Sequence, residues 1–489
     1  MKKLLSLGSR QFLTGIAPSA HAESGGLFFN AVGVTPLFGA GSAASVNNGL
    51  LMAGAGGTAI TIAGTPLNMI ADKGVYFTSG LIIAASDNKI YKCQISDTTV
   101  PSFGATTAAI TSGGTLTGGM VLFNISGADK LFYHRLDKIG NTDSDTYLSV
   151  STDYWGAMHV HYGLNKIIFG NSYGKLGTID SAGASSLSAL TFDATTVCTA
   201  LSDDGIYVVA AITKNYTGDP NLLMDTRVLF WDGSTTTGFL RDYPITDPFI
   251  YALNKTPNGV FAYGVTGIWQ VTFDGVKKIF SHAPGVYTAS GASVIHYGKG
   301  AVSFFSDALL WGGNVGSTNA VTALKSLGKL DSSSASAYLN PILGTASKNI
   351  TAVSGQILKG YVFAADSTPQ IKYYPIGSGT PQTSISAQTV YIPLGDKYQI
   401  ERVDVVFGEP LASGDSMSIQ LKTDEDTTAI EATASALTAS YATDGAIRRK
   451  SMKVTGFTAD EQISVVVNFV AGACKIKRIE VFGSPVVIL

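Results

Sequence analysis

A hairpin pattern recurs along most of this chain and constrains its fold more than any other feature. Each unit has an apolar run of four to six residues, a short polar turn, and a second run that often carries an aromatic side chain. The units begin at Gly80, Gly127, Leu164, Gly205, Gly259, Gly300 and Gly360. Helical periodicity is nearly absent, and runs rich in Val, Ile, Tyr and Phe are bounded by turn residues. The sequence therefore predicts an all-β protein.

The spacing of these seven units predicts a β-propeller. Successive units start 37 to 60 residues apart, around the roughly 40 to 50 residues that one four-stranded blade occupies. A hairpin cannot bury both of its faces alone, so stacking blades around an axis completes the core. We predict a seven-bladed propeller over residues 48–393, with a sandwich, a barrel and a β-solenoid as alternatives. An earlier hairpin at 49–62 is either an eighth unit or the strand that closes the ring.

After residue 394 the strands become longer and alternate more regularly. They are expected at 398–408, 416–422, 446–454, 461–470 and 474–483, and the first and last share an I-x-R-[VI]-x-V core. Apolar residues alternate with Glu, Arg and Lys, which predicts a jelly-roll or β-sandwich domain over residues 394–489.

The N-terminal region, residues 1–47, is rich in Gly, Ala and Ser, and we expect it to form an extended arm. Its first residues imitate a signal peptide, with Lys2 and Lys3 ahead of two leucines and an A-x-A site ending at Ala22. Ser9 and Arg10 interrupt the apolar stretch that such a peptide needs. We therefore expect the segment to be retained.

Charge is scarce in this chain: 14% of residues are charged, compared with about 25% in an ordinary soluble domain. The formal net charge of −2 gives no basic field for nucleic acid, so no sequence-specific nucleic-acid partner is expected. No apolar run reaches the roughly 18 residues of a membrane-spanning helix, so no membrane span is expected. The apolar excess is therefore assigned to a core and to contacts between subunits.

The three cysteines are Cys93, Cys198 and Cys474, and they lie far apart in the sequence. No C-x-x-C pair is present, which argues against both a disulfide framework and a zinc site. We predict that they are small buried hydrophobic residues.

Motifs that carry catalysis are absent or out of context. The G-x-S-x-G match at 170–174 would make Ser172 a nucleophile after a strand and before a helix. Here it lies between two strand-like runs, which favours a hairpin turn. His159 and His161 alternate along a strand and could share a metal, with Asp153 near in sequence, but a polar strand face is the better interpretation.

Acidic clusters offer carboxylate oxygens for calcium, but none has the ligand pattern of a recognised loop. We interpret them as solvated turns. The clusters are Asp143/Asp145, Asp203/Asp204 and Asp424/Glu425/Asp426. No catalytic, cofactor-binding or metal-binding residue is predicted, no cofactor is expected, and the chain is not expected to be an enzyme.

The sequence pattern along the whole chain resembles that of a class of viral proteins. The residues that carry this resemblance are a G-L-F-x-N-A-x-G-V-x-P-L-F opening at 26–38, a G-L-L start to the repeats at 49–51, and E-P-L-A-S-G-D-S-M-S-I at 409–419. The chain is similar to the propeller-bearing structural proteins of nozzle, hub or distal-tail type in tailed double-stranded DNA bacteriophages.

This resemblance implies a virion structural protein, made in the host cytoplasm and located in the viral tail. It would form an oligomeric ring or hub at the DNA exit channel, as a hexamer or another tail-symmetric ring. Its partners would be copies of itself and other tail proteins, with a role in host attachment and DNA ejection.

A glycan-binding adhesin is the alternative function, with host-surface glycans as its partners. Its ligand contacts would come from exposed aromatic rings, on which sugar faces stack. Trp155, Trp231, Trp269 and Trp311 are the candidates, although packing between blades also explains tryptophans inside the repeated hairpins.

Overall fold

The computed structural model describes most of the chain. The described residues are 1–8, 28–31, 60–72, 80–96, 102–103, 106–151, 155–171, 173–214, 225–234, 236, 238–257, 259–281, 300, 302–305, 308–312, 323–327, 337–341, 350–355, 361–366, 370–375, 385–423, 437–472 and 474–486. The predicted all-β class is confirmed, since the regular secondary structure of the described part is antiparallel strand apart from one short helix, α1 (Tyr441–Asp444).

Within the described residues, seven sheets follow one another along the chain, each with its strands in sequence order or nearly so. The first contains β4 (Pro66–Asp72), β5 (Gly80–Ala85), β6 (Lys89–Ser96), β7 (Ser102–Phe103) and β8 (Thr107–Thr111). The second contains β9 (Leu116–Ile125), β10 (Ala128–Arg135), β11 (Lys138–Asn141) and β12 (Leu148–Ser149). The third contains β13 (Met158–His161), β14 (Lys166–Gly170), β15 (Lys175–Asp180) and β16 (Ser185–Thr191).

The remaining four sheets repeat this arrangement. The fourth contains β17 (Thr196–Asp203), β18 (Val208–Lys214), β19 (Asp225–Trp231) and β20 (Arg241–Ile245). The fifth contains β21 (Ile250–Thr256), β22 (Gly259–Gly264), β23 (Gly267–Thr272) and β24 (Gly275–Ser281). The sixth contains β25 (Val302–Phe305), β26 (Ala308–Gly312), β27 (Ala323–Leu327) and β28 (Ala337–Pro341). The seventh contains β29 (Ile350–Gly355), β30 (Tyr361–Asp366), β31 (Gln370–Pro375) and β3 (Ile60–Thr61).

The first strands of these sheets contact one another in a cyclic order. Each contacts the first strand of the next sheet, from β4 through β9, β13, β17, β21 and β25 to β29, and β29 contacts β4 again. The seventh sheet takes its fourth strand, β3, from the other end of the series, where Ile60 pairs with Ile371. The hairpin predicted at 49–62 therefore contributes a strand to the last sheet through residues 60–61, while residues 49–59 lie outside the described part.

Central strands of several of these sheets are buried on both faces, because alternate residues face opposite neighbours. On β14, Ile167 and Phe169 belong to a cluster shared with the second sheet, whereas Ile168 belongs to one shared with the fourth. Ile82 and Ile83 on β5 divide in the same way between the second and seventh sheets. Full burial of such a side chain stabilises the fold by roughly 1.5–3 kcal/mol.

Two sheets pair a glycine with an aromatic ring across neighbouring strands. Gly140 lies opposite Tyr133, and Gly177 lies opposite Phe169. A Cβ atom added at either glycine would overlap the facing ring. Each ring thus covers its glycine, and the glycine supplies the space that the ring occupies.

Most of the recurring sequence units correspond to the second and third strands of a sheet, as in the unit at Gly80, which covers β5 and β6. The unit at Gly300 is different, because its two runs are β25 and β26, the first and second strands of the sixth sheet. This offset of one strand makes the spacing before that unit short and the spacing after it long.

Two further sheets contain the C-terminal strands. One has the order β1 (Lys2–Gly8), β39 (Ile476–Pro485), β34 (Tyr398–Phe407) and β37 (Arg449–Ala459). The other has the order β2 (Phe28–Ala31), β32 (Ile385–Thr389), β38 (Gln462–Ala471), β35 (Ser416–Lys422) and β36 (Leu437–Ser440), with β33 (Ile392–Pro393) also paired to β38. One hydrophobic cluster contains side chains from both sheets, among them Val403 and Val481 from the first and Ile419 and Val465 from the second.

Segments from the predicted arm take part in these sheets: β1 pairs with β39 along an antiparallel register, and β2 pairs with β32. The two strands with the shared I-x-R-[VI]-x-V core, β34 and β39, are direct neighbours in one sheet. Within the described residues, no helix is long and apolar enough to cross a membrane.

Candidate functional site

The site that unites several sequence candidates lies where first strands turn into second strands. In the third sheet this turn follows His161, and in the fourth it follows Asp203. We call this the turn end of the sheets. Both predicted histidines contact the fourth sheet: His159 Nε2 lies 2.6 Å from Asp203 Oδ2, and His161 Nε2 lies 3.1 Å from the Ile206 carbonyl oxygen.

Asp203 is the centre of this site. It is the last residue of β17, and its side chain is buried, contrary to the prediction of a solvated turn. Its carboxylate accepts hydrogen bonds from His159, from Lys255 Nζ and from the backbone N–H of Gly205 at 2.7 Å. A buried carboxylate needs such donors because desolvation penalises its charge. The prediction failed because the adjacent first strands, not water, surround this aspartate.

His159, Asp203 and Lys255 come from three consecutive first strands, β13, β17 and β21, and we call them the Asp203 cluster. Burial alone would raise the pKa of Asp203, but the hydrogen bonds and charges of His159 and Lys255 outweigh it and hold that pKa far below its usual range. The carboxylate is therefore ionised at neutral pH. One anion thus links three sheets through charge-assisted hydrogen bonds.

His161 is buried beside this cluster, and its ring accepts one hydrogen bond and donates another. Its Nδ1 accepts the backbone N–H of Leu164 at 3.2 Å, so its Nε2 carries the proton that is donated to the Ile206 carbonyl. Burial lowers the pKa of His161 despite the nearby Asp203 carboxylate. The ring is therefore neutral at neutral pH, and it joins the turn of the third sheet to that of the fourth.

These two turns present large apolar side chains to solvent. Tyr162 is 79% exposed and Ile206 is 68% exposed. Asp204 holds the second turn, because its Oδ1 accepts the backbone N–H groups of Ile206 at 2.9 Å and Tyr207 at 2.7 Å. For Asp204 the prediction of a solvated turn is confirmed. We call Tyr162, Ile206 and the Asp203 cluster the turn-end surface.

The side chains of this site are suited to holding neighbouring strands together rather than to coordinating a ligand. Among the described residues, no three His, Cys, Asp or Glu side chains are grouped so that they could hold a metal ion. Asp153, the third ligand considered from the sequence, lies outside the described residues. The Asp203 carboxylate is occupied by three donors, so its role in this arrangement is to fix the positions of the first strands.

No protein-family model matches this chain, and no curated protein matches it.

The tryptophans do not form an exposed aromatic surface where their side chains are described. Trp155, Trp231 and Trp269 are buried in clusters that join neighbouring sheets. Trp155 packs on Phe249 with ring centroids 4.9 Å apart. Trp311 lies on β26, and its side chain is outside the described part.

The other candidates are distributed over the molecule. Asp145 is bound by Arg135 and accepts the Tyr133 hydroxyl at 2.9 Å, so it belongs to a side-chain network, whereas Asp143 is an exposed partner of Lys130. Ser172 and the cluster at 424–426 lie outside the described residues. Antiparallel pairing of β14 with β15 confirms that the 170–174 segment connects a hairpin.

The three cysteines form no disulfide bonds and are buried, as predicted. Burial, with the Asp415 charge as a second cause, raises the pKa of the Cys474 thiol to about 12. Burial also raises the pKa of Cys93. Thiols in such surroundings are poor nucleophiles because they resist ionisation.

Proposed function

We propose that this chain is a structural protein of a phage tail, built as a seven-bladed β-propeller joined to a C-terminal β-sandwich. The propeller is supported by the cyclic contacts of the seven first strands and by β3, which would close the ring as the fourth strand of the last blade. The sandwich is supported by the hydrophobic cluster shared between the two C-terminal sheets.

Assembly through the turn-end surface is the function that the geometry supports best. The observation that carries it is the exposure of Tyr162 and Ile206 on turns that hydrogen bonds hold in place. Exposed aromatic and aliphatic side chains on a rigid frame are typical of the centres of protein interfaces. Low overall charge fits the same conclusion, because the centres of interfaces are depleted of charged residues.

In this proposal the protein forms an oligomeric ring or hub at the DNA exit channel, as a hexamer or another tail-symmetric ring. Neighbouring copies and other tail proteins cover the turn-end surface. The protein is made in the host cytoplasm and is located in the virion tail, where it contributes to host attachment and DNA ejection by its shape and contacts. It works without chemical turnover.

Native mass spectrometry of the full chain tests this function. The wild type is expected as a discrete oligomer, and the Tyr162→Ser, Ile206→Ser double variant is expected to shift towards monomer. Tyr173→Ser is the matched control, because Tyr173 is also an exposed tyrosine but lies at the opposite end of the third sheet. A wild-type chain that stays monomeric at every concentration would contradict the proposal.

The adhesin alternative is weaker because three of the four tryptophans that would carry it are buried. Binding of a monomeric chain to a glycan array would restore it. A discrete oligomer that binds no glycan would support the structural function.

A further inference from the structure

The outer face of the sheet β1-β39-β34-β37 carries an ordered set of charges. Cross-strand pairing arranges them in three rows, each of which runs across the strands. One outer row contains Lys3, Phe482, Arg402 and Lys453; the central row contains Glu480, Asp404 and Ser451; the other outer row contains Arg478, Val406 and Arg449. Two cationic rows therefore flank one acidic row.

The acids of the central row are buried beneath the cations. The side chains of Asp404 and Glu480 are 0% and 6% exposed, whereas those of Lys3, Arg402, Arg449 and Arg478 are 35–55% exposed. Arg449 Nη2 lies 2.5 Å from Asp404 Oδ2 and 4.0 Å from Glu480 Oε2. A molecule that approaches this face meets the cations first.

The two acids position the guanidinium groups for a further contact. Arg402 Nε lies 3.1 Å from Asp404 Oδ1, and Arg478 Nε lies 3.4 Å from Glu480 Oε1. The Arg402 guanidinium also lies over the Phe482 ring, 4.2 Å from its centroid. A guanidinium fixed in this way keeps a planar fork of N–H donors that matches the geometry of a carboxylate.

A cavity of about 460 Å³ opens beside Arg402 and Lys453. Its lining is completed by Met1, Glu401, Ser451 and Val454. The site therefore combines two cations, one carboxylate and a hydroxyl with apolar surface. Its volume is within the roughly 300–1,000 Å³ of sites that bind organic ligands, and it exceeds what a single inorganic anion needs.

The net charge of the three rows and the residues that line the cavity together indicate which class of molecule binds here. The three rows hold five cations and two carboxylates, an excess of three positive charges, and the chain as a whole carries −2. Nucleic-acid binding depends on many phosphate contacts along a strand, whereas this face combines a short set of cations with an apolar lining at Val454. An acidic polypeptide satisfies both properties of the site, because its carboxylates meet the arginines while its apolar side chains cover Val454.

We propose that this face docks an acidic segment of another protein, with a carboxylate held between Arg402 and Lys453. The face lies on a C-terminal sheet and shares no residue with the turn-end surface. The inference therefore goes beyond the proposed function, and either of the two can fail without the other.

Fluorescence polarisation of the full chain tests this docking with three labelled probes. The first is a twelve-residue peptide in which pairs of Asp or Glu alternate with Leu. The second has Asn and Gln in place of the acids, and the third is a single-stranded oligonucleotide of twenty nucleotides. We expect the acidic peptide to bind most tightly and to lose about tenfold in affinity between low and high salt, since exposed charges are screened.

Lys453→Glu is the decisive variant, because Lys453 is exposed and lies on the edge strand β37. It should weaken acidic-peptide binding by about tenfold or more. Lys277→Glu is the matched control, since it makes the same charge change at an exposed lysine on β24 of the fifth sheet. If Lys453→Glu melts at a lower temperature than the wild type, Lys453→Gln replaces it, with Lys277→Gln as its control.

Three outcomes would overturn the proposal: no binding of the acidic peptide to the wild type, equal affinities for the Lys453 and Lys277 variants, or equal binding of the amide peptide. Tighter binding of the oligonucleotide than of the acidic peptide would also overturn it, in favour of nucleic acid.

Discussion

Replacing Asp203 by Asn should loosen three sheets at once, because this carboxylate is the common acceptor for His159 and Lys255. Asparagine keeps the shape and retains one side-chain acceptor for the Gly205 N–H. It loses the negative charge that attracts the Lys255 ammonium and strengthens the hydrogen bond with His159. The effect should appear in β13, β17 and β21 together, although only β17 carries the substitution.

The magnitude follows from the partners of the carboxylate. A hydrogen bond to a charged group contributes about 1.5–3 kcal/mol when it is shielded from water. That value applies to the His159–Asp203 contact, in which the carboxylate is buried and the histidine is partly buried. The Lys255 side chain is nearly half exposed, and its ion pair contributes about 0.2–1 kcal/mol. We expect Asp203→Asn to lower the free energy of opening by about 2–4 kcal/mol.

Hydrogen–deuterium exchange measures this loss strand by strand. If the protected amides of β13, β17 and β21 exchange through opening, 2–4 kcal/mol corresponds to roughly 30- to 900-fold faster exchange. Asp204→Asn is the matched control, because Asn can still accept the Ile206 and Tyr207 N–H groups from the neighbouring position. Equal exchange in the two variants, or acceleration confined to β17, would refute the reasoning.

Three further predictions concern pH, thiol reactivity and packing. Since burial lowers the pKa of His161 in the folded chain, its contribution is complete above about pH 6.5 and is lost as the pH falls through the folded-state pKa, so His161→Gln should melt with a smaller drop between about pH 7 and pH 5 than the wild type. The buried thiols, including Cys474, should resist Ellman's reagent at about pH 8 in the folded chain and react after unfolding in guanidinium. Gly177→Ala should destabilise the fold by about 1–3 kcal/mol through overlap with Phe169, whereas Gly275→Ala, which has open space, should change the melting temperature little.

Hairpin repetition was sufficient to predict the all-β class, because apolar alternation and turn residues are local signals. The same pattern indicated that residues 60–62 could belong to a strand, but only the tertiary pairing with Ile371 shows which sheet receives it. Pairing across such a distance leaves no mark in local periodicity. The unit at Gly300 illustrates the same limit, since a pair of apolar runs does not reveal which two strands of a sheet it forms.

The candidate site was only half predictable. Period-two alternation correctly placed His159 and His161 towards one neighbour, yet their partners Asp203 and Ile206 belong to the fourth sheet. Lys255, which also binds Asp203, lies in the fifth sheet. Asp203 looked like its partly exposed neighbour Asp204 in the sequence, because burial depends on what packs against the end of β17. The available signal was positional: polar residues at the ends of consecutive first strands meet at one end of stacked sheets. Aligning first strands, rather than second and third strands, would have brought these residues together.

The pairing of β3 with β31 also sets an order of events during synthesis. Ile60 leaves the ribosome about 310 residues before Ile371, and closing a loop of that length is the most entropically costly contact in the sheet series. Until then, Ile60 and Ile62 have no partners from the seventh sheet, although both are buried in the finished fold. A chain that stops before residue 370 would leave this apolar strand exposed, so premature termination would yield a protein prone to aggregation rather than a smaller version of the native one.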